Sequence, residues 1–150
     1  MPMLRAAIHE PNPSANGTLV DCCLATWGPR RVNEALLDFV EKGTDLDKQG
    51  AVSALYWAHF VCHESRDELA DVWLRRASVL LKEFIVNTNL HVRRNIIALL
   101  ALSSLEPSEY LETLKPLIAQ AIAIARTHPD EYIRQRVGEL RIGLAPPRDC

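Results

Sequence analysis

Apolar residues recur along this chain at helical spacing, and the row is clearest over 89–105, NLHVRRNIIALLALSSL. Asn89 offers a side-chain oxygen to the free amides of a first helical turn. Val92, Ile96, Leu99 and Leu100 then fall on one face beside Ile97, and Pro107 stops the run. The outline returns at Asp45, in DLDKQGAVSAL, and at Asp130, in DEYIRQRVGEL. Counted from these three caps, Val52, Ile96 and Val137 coincide, as do Leu55, Leu99 and Leu140, while Gln49, Arg93 and Arg134 share a polar position. The starts lie 44 and 41 residues apart. That period predicts one supersecondary unit stacked on copies of itself.

The rest of the chain fits the same scheme. Leu4, Ala6, Ala7 and Ile8 suggest a short helix ended by Pro11 and Pro13. Thr18 to Trp27 predicts a helix with Leu19, Cys22, Cys23 and Trp27 inward, closed by a Gly28-Pro29 turn. The next helix runs to about Lys42, with Val32, Leu36, Leu37 and Val40 inward and Gly43 as its C-terminal stop. A helix from Asp45 to about Cys62 follows. Ser65 and Glu68 read as a capping box for a helix reaching about Val86. After Asn89 to Leu105, Ser108 opens a helix towards Arg126, which Pro116 either kinks or restarts. His128-Pro129-Asp130 is a turn, and a last helix from Glu131 to Ile142 has no partner. The expected fold is all-α: about seven helices in antiparallel hairpins joined by links of two to five residues, stacked as a short right-handed α-α superhelix. Its units are 17–43, 45–87, 89–127 and 130–143 in one domain, with a tail over 144–150.

The aligned segments resemble HEAT repeats, and more loosely armadillo repeats. Asn89, Val92, Arg93, Ile96 and Leu99 match the pattern, as do Asp130, Ile133, Arg134, Val137 and Leu140. The copy at Asp45 departs from it, with Lys48 in the aliphatic slot and Gln49 in the arginine slot. The resemblance implies a helical-hairpin solenoid that binds other macromolecules, an inference from fold rather than from a site. It also implies that Asp45, Asn89 and Asp130 are caps, and that Arg93 and Arg134 are structural arginines paired with acidic groups of adjacent repeats.

Composition changes the picture little. Hydrophobic residues make up 48% and charged residues 24%, as expected of a globular chain, and a net charge of -2 gives no overall pull towards nucleic acid or anionic lipid. The cysteines, Cys22, Cys23, Cys62 and Cys150, form no C-x-x-C pair and read as free buried thiols of a reducing compartment. With neither a secretory leader nor a bilayer-length apolar run in the sequence, the expected location is the cytoplasm.

Candidate chemistry is sparse. His59 and His63 stand four apart with Cys62 between them, a spacing that can share a metal, but HFVCH lacks the glutamate of a metallopeptidase helix. They read first as helix-end histidines. No nucleophile with an oriented base and no glycine-rich phosphate loop appears, so the expectation is a non-enzyme without cofactor. Arg75-Arg76, Arg93-Arg94 and Arg134 with Arg136 raise a nucleic-acid stripe, against which stand the neighbouring Asp67, Glu68, Asp71 and Glu83. The favoured surface is the inner, concave side of the stack, lined by the outward positions of the second helix of each pair: Arg31, Glu34, Asp38 and Glu41, then Asp67, Asp71, Arg75 and Lys82, then Glu109, Glu112 and Lys115. It reads as acidic towards the N-terminal end, suited to a basic partner protein, with Trp57 a further anchor if exposed. The functional expectation is a protein-interaction adaptor or inhibitor, an immunity-type inhibitor being one form. The unpartnered last helix adds a homodimer through that end, and no membrane role is expected.

Overall fold

The computed structural model describes residues 1–60, 69–102 and 108–142. Among them are eight α-helices and no strand: α1 (Pro2–Ile8), α2 (Pro13–Trp27), α3 (Pro29–Lys42), α4 (Asp45–Phe60), α5 (Ala70–Val86), α6 (Leu90–Leu102), α7 (Ser108–Thr127) and α8 (Glu131–Ile142). The chain divides into two compact units, Met1–Trp73 and Leu74–Cys150, with the boundary inside α5. The expected Ser65–Glu68 capping box lies outside the described residues.

In the first unit α4 packs against α1, α2 and α3, and α2 also against α1 and α3. The α3 pattern is read correctly from sequence: Val32, Leu36, Leu37 and Val40 are all fully buried. The region before it differs from expectation. Pro13 does not end a helix but begins one, because the first turn has no use for its missing N–H. Asn12 Oδ1 caps that turn by accepting from the amides of Ser14 (3.0 Å) and Ala15 (3.4 Å). The buried face of α2 is therefore Asn16, Gly17, Val20, Cys23 and Leu24. Leu19 and Trp27 are only half-buried and Cys22 is exposed.

Two glycines fix how these helices meet. Gly28 has φ +77°, which ends α2 and turns the chain directly into α3. At Gly50 a Cβ would sit 1.7 Å from the Ile8 carbonyl oxygen, so the end of α1 lies directly on the backbone of α4. Gly43 is the C-terminal stop of α3 as expected, with φ −77° and its amide donating to the Phe39 carbonyl. Its lack of a side chain matters for space, since a Cβ would come within 2.5 Å of the Phe39 carbonyl.

In the second unit α8 packs on α6 and α7. Ile96, Ile97, Leu99, Leu114, Ala125, Ile133 and Val137 are buried there, together with Leu80, Leu81 and Phe84 of α5. Pro116 sits inside α7, which continues through it as one helix rather than restarting. The side chain of Leu140 lies outside the described residues.

The contact at Gly50 yields a test. Gly50→Ala should destabilise the chain by about 1–3 kcal/mol, since the Ile8 backbone cannot yield as a flexible side chain would. Urea unfolding followed by circular dichroism measures it, and an unchanged midpoint would show that α1 does not rest on α4.

Candidate functional site

The starts of α4, α6 and α8 are built from a small set of polar residues. At α4 the cap is Thr44, not Asp45. Thr44 Oγ1 accepts from the Asp47 amide at 3.3 Å, while Asp47 Oδ2 accepts from the Thr44 amide at 2.9 Å and from its hydroxyl at 2.7 Å. This is a reciprocal capping box with aspartate in the usual glutamate place. Asp45 is the first helical residue, where a negative charge still favours the helix dipole. The other two caps are as expected. Asn89 Oδ1 accepts from the amides of His91 (3.0 Å) and Val92 (3.3 Å), and Asp130 Oδ1 from that of Ile133 (3.1 Å).

Moving the first cap to Thr44 shifts the repeat register by one residue. The position four after the cap is now Lys48, Arg93 and Arg134, basic in all three copies. The seventh, eighth, tenth and eleventh positions are buried in both α4 (Ala51, Val52, Ala54, Leu55) and α6 (Ile96, Ile97, Leu99, Leu100). Counted from Thr44, Lys48 takes the position of Arg93 and Arg134, and Asp47 the position of Val92 and Ile133.

At Arg93 and Arg134, and at Asn16 of α2, the fourth position has the same task. Arg93 donates from Nε to the Phe84 carbonyl (3.1 Å) and from Nη2 to that of Ile85 (3.2 Å), at the end of α5. Arg134 donates from Nη1 to the carbonyls of His128 (2.7 Å) and Pro129 (2.6 Å), just beyond α7. Asn16, four after the Asn12 cap, donates to the Ala7 carbonyl at 2.7 Å, at the end of α1. Each side chain reaches back to carbonyls at the end of the preceding helix or in its link, where helical partners run out; the Ala7 oxygen also accepts from the Glu10 amide at 3.1 Å. Arg93 and Arg134 were expected to pair with carboxylates, and here they serve backbone oxygens instead.

The ion pair falls to the next residue. Arg94 donates from Nε and Nη2 to the two carboxylate oxygens of Asp130, joining α6 to the cap of α8. Arg94, helped by the Ile133 amide, holds the Asp130 carboxyl below the usual carboxylate range. His128 Nδ1 accepts from the Asp130 amide at 3.1 Å. Burial, with Arg93 and Arg134 nearby, pushes the His128 imidazole below its ordinary value. Tyr132 packs under two guanidiniums, Arg94 at 6.0 Å and Arg136 at 5.1 Å from its ring centre.

The expected partner surface looks different once its charges are placed. On α3, Arg31, Asp38 and Glu41 are exposed and Glu34 is half-buried. Arg30 pairs with Glu34 (3.6 Å) and bidentately with Asp71 (2.7 and 2.9 Å), and Lys42 pairs with Asp38 (3.4 Å). With three bases against three acids, α3 carries no net charge. The acidity belongs to the first unit as a whole, with 11 acidic and 6 basic residues, whereas the second has 8 acidic and 11 basic. Arg75 belongs to the second unit and is half-buried; Arg76 is buried, at 2% exposure, and cannot lie on an open phosphate-binding stripe. Asp67 lies outside the described residues.

Trp57 is half-buried and covered by α2, where a Cβ on Gly17 would lie 3.0 Å from its ring. The side chain of His59, and Cys62 and His63 altogether, lie outside the described residues, so the proposed metal pair is not placed. Among the described residues no group of three His, Cys, Asp or Glu side chains could hold a metal ion. Cys22 and Cys23 are free thiols, and burial pushes that of Cys23 up. No helix among the described residues is long and apolar enough to cross a membrane. Comparison of the chain with family models, with characterised proteins and with solved structures gives no match.

Two pH effects follow. Asp130 has a depressed folded pKa, so its contribution is present above the unfolded value of about 3.9 and is lost as pH falls through the folded value. Asp130→Asn should therefore speed amide exchange in the first turn of α8 near neutral pH, with the gap to wild type closing in acid. Hydrogen exchange read by mass spectrometry decides this, and equal exchange at neutral pH would refute the clamp. His128 is a base with a depressed folded value, so its unfolded form takes the proton first. Stability should fall as pH drops below about 6.5. His128→Gln should flatten that part of the urea-midpoint profile, and an unchanged slope would place the titration elsewhere.

Proposed function

We propose that the chain is a HEAT-like helical-repeat module, a short α-α superhelix, that binds a partner protein without performing a chemical step. The observation that carries this reading is the recurring helix start: a capping side chain, a basic residue four positions on, and burial at matching positions in α4 and α6. Such a unit uses its polar residues to join one helix end to the next. Its outer faces are then free to carry recognition. The excess of carboxylates in the first unit supports a basic partner, attracted by charge and held by shape. An inhibitor of a basic enzyme is one form this takes. The nucleic-acid reading loses support because Arg76 is buried while Arg93 and Arg134 are occupied by backbone oxygens.

Affinity capture of the tagged chain from its native lysate, at low and moderate salt, tests the proposal. The expected result is one dominant basic protein in near-stoichiometric amount that survives moderate salt. Recovery of nucleic acid alone, released as salt rises, would overturn it.

A further inference from the structure

The second unit carries its exposed apolar residues at one place. Among its described residues, the large hydrophobic side chains that stand out are Val86 (70% exposed), which ends α5, and Leu90 (37%), which begins α6. The link between them is short and fastened from within. The Asn87 amide donates to the Glu83 carbonyl (2.8 Å), Asn87 Nδ2 to Glu83 Oε1 (2.7 Å), and the Asn89 amide to Asn87 Oδ1 (2.7 Å). Both apolar side chains thus stand on a preformed turn, which spares a partner the entropy of ordering it. The α7–α8 link lies at the same end of the unit. Arg94 at the start of α6 holds Asp130 at the start of α8, and Arg93 is close enough to His128 to act on its imidazole.

The charges at this end do not cancel. Arg94 is matched by Asp130, and Glu83 is buried and turned to Asn87. At the two links three guanidiniums remain: half-buried Arg93, Arg126 in the last turn of α7, and Arg134 on α8, the latter two exposed. Among the described residues no carboxylate pairs with any of the three. Arg93 and Arg134 bond to neutral carbonyls, which take up some of their donors and leave their charge in place. Burial lowers the Arg93 guanidinium from its ordinary value, with no carboxylate to offset it. Against the three stands exposed Glu131, which accepts from Gln135 at 3.1 Å. We propose that the end of the second unit holding these two links is a docking site for an acidic segment of a partner protein, its apolar side chains on Val86 and Leu90 and its carboxylates towards Arg126 and Arg134. A phosphodiester backbone would gain from the guanidiniums but nothing from the two apolar residues. The site is separate from the surface offered to a basic partner and stands without that reading.

The test uses the full chain, labelled with nitrogen-15, and a short synthetic peptide of leucine and aspartate, with a leucine–lysine peptide and a thymidine oligonucleotide as controls. The aspartate peptide is expected to bind, more weakly as salt rises, and to shift the amide signals of 86–91 and 126–135. Val86→Ser and Arg126→Glu should each weaken binding about tenfold, the loss of one interface anchor in the first case and repulsion in the second. Both changes fall at exposed positions, and an unchanged thermal midpoint separates lost binding from lost fold. Three results would each overturn the proposal: no binding of the aspartate peptide at millimolar concentration, equal binding of the lysine peptide, or full binding by both variants. Shifts of the same amides by the oligonucleotide, with the aspartate peptide unbound, would assign the guanidiniums to a nucleic acid instead.

Discussion

Every helix ends with carbonyl oxygens that its own turns cannot satisfy, and a chain of short helices with tight links multiplies the problem. Here the answer recurs. The polar residue four positions into a helix reaches back: Asn16 to Ala7, Arg93 to Phe84 and Ile85, Arg134 to His128 and Pro129. An arginine suits this task because its several donors can serve two carbonyls at once. The links can then stay tight, and the faces of the helices are left to packing and to solvent. Arg93 also lies over the Phe84 ring at 5.6 Å, so the same side chain covers apolar surface while it satisfies polar atoms.

How much of this was legible from sequence depends on whether one residue type allows more than one use. The aliphatic row of α3 and the caps Asn89 and Asp130 were readable, since periodicity and cap chemistry agreed there. Thr44 and Asp45 are both good caps, and only the reciprocal bonds with Asp47 distinguish them. The neighbouring arginines Arg93 and Arg94 look alike in a string of letters, yet about 100° of helical rotation sends one to carbonyls and the other to Asp130. Arg76 was read as a surface charge because arginine is seldom fully buried, and its burial comes from tertiary packing that no local pattern carries. The candidate surface was half legible. The carboxylates of α3 were visible, but their pairing with Arg30 and Lys42 depends on rotamers and, for Asp71, on a contact across 41 positions.

Net charge and local charge thus diverge. The first unit is acidic in total, while its most regular charged helix is neutral and laced by its own pairs. Exposed pairs of that kind contribute little to stability. They do make α3 a poor electrostatic target.

The bond between Arg94 and Asp130 joins residues 36 positions apart, and α6 and α8 also pack directly on one another. The segment between them, which includes α7, is therefore a closed loop with a fastened base. The entropy of closing such a loop depends only weakly on its contour; even doubling the length costs roughly 0.6 kcal/mol. In closure entropy alone, a change of length in the links of that stretch costs little, provided that the fastening and the buried face of α7 persist.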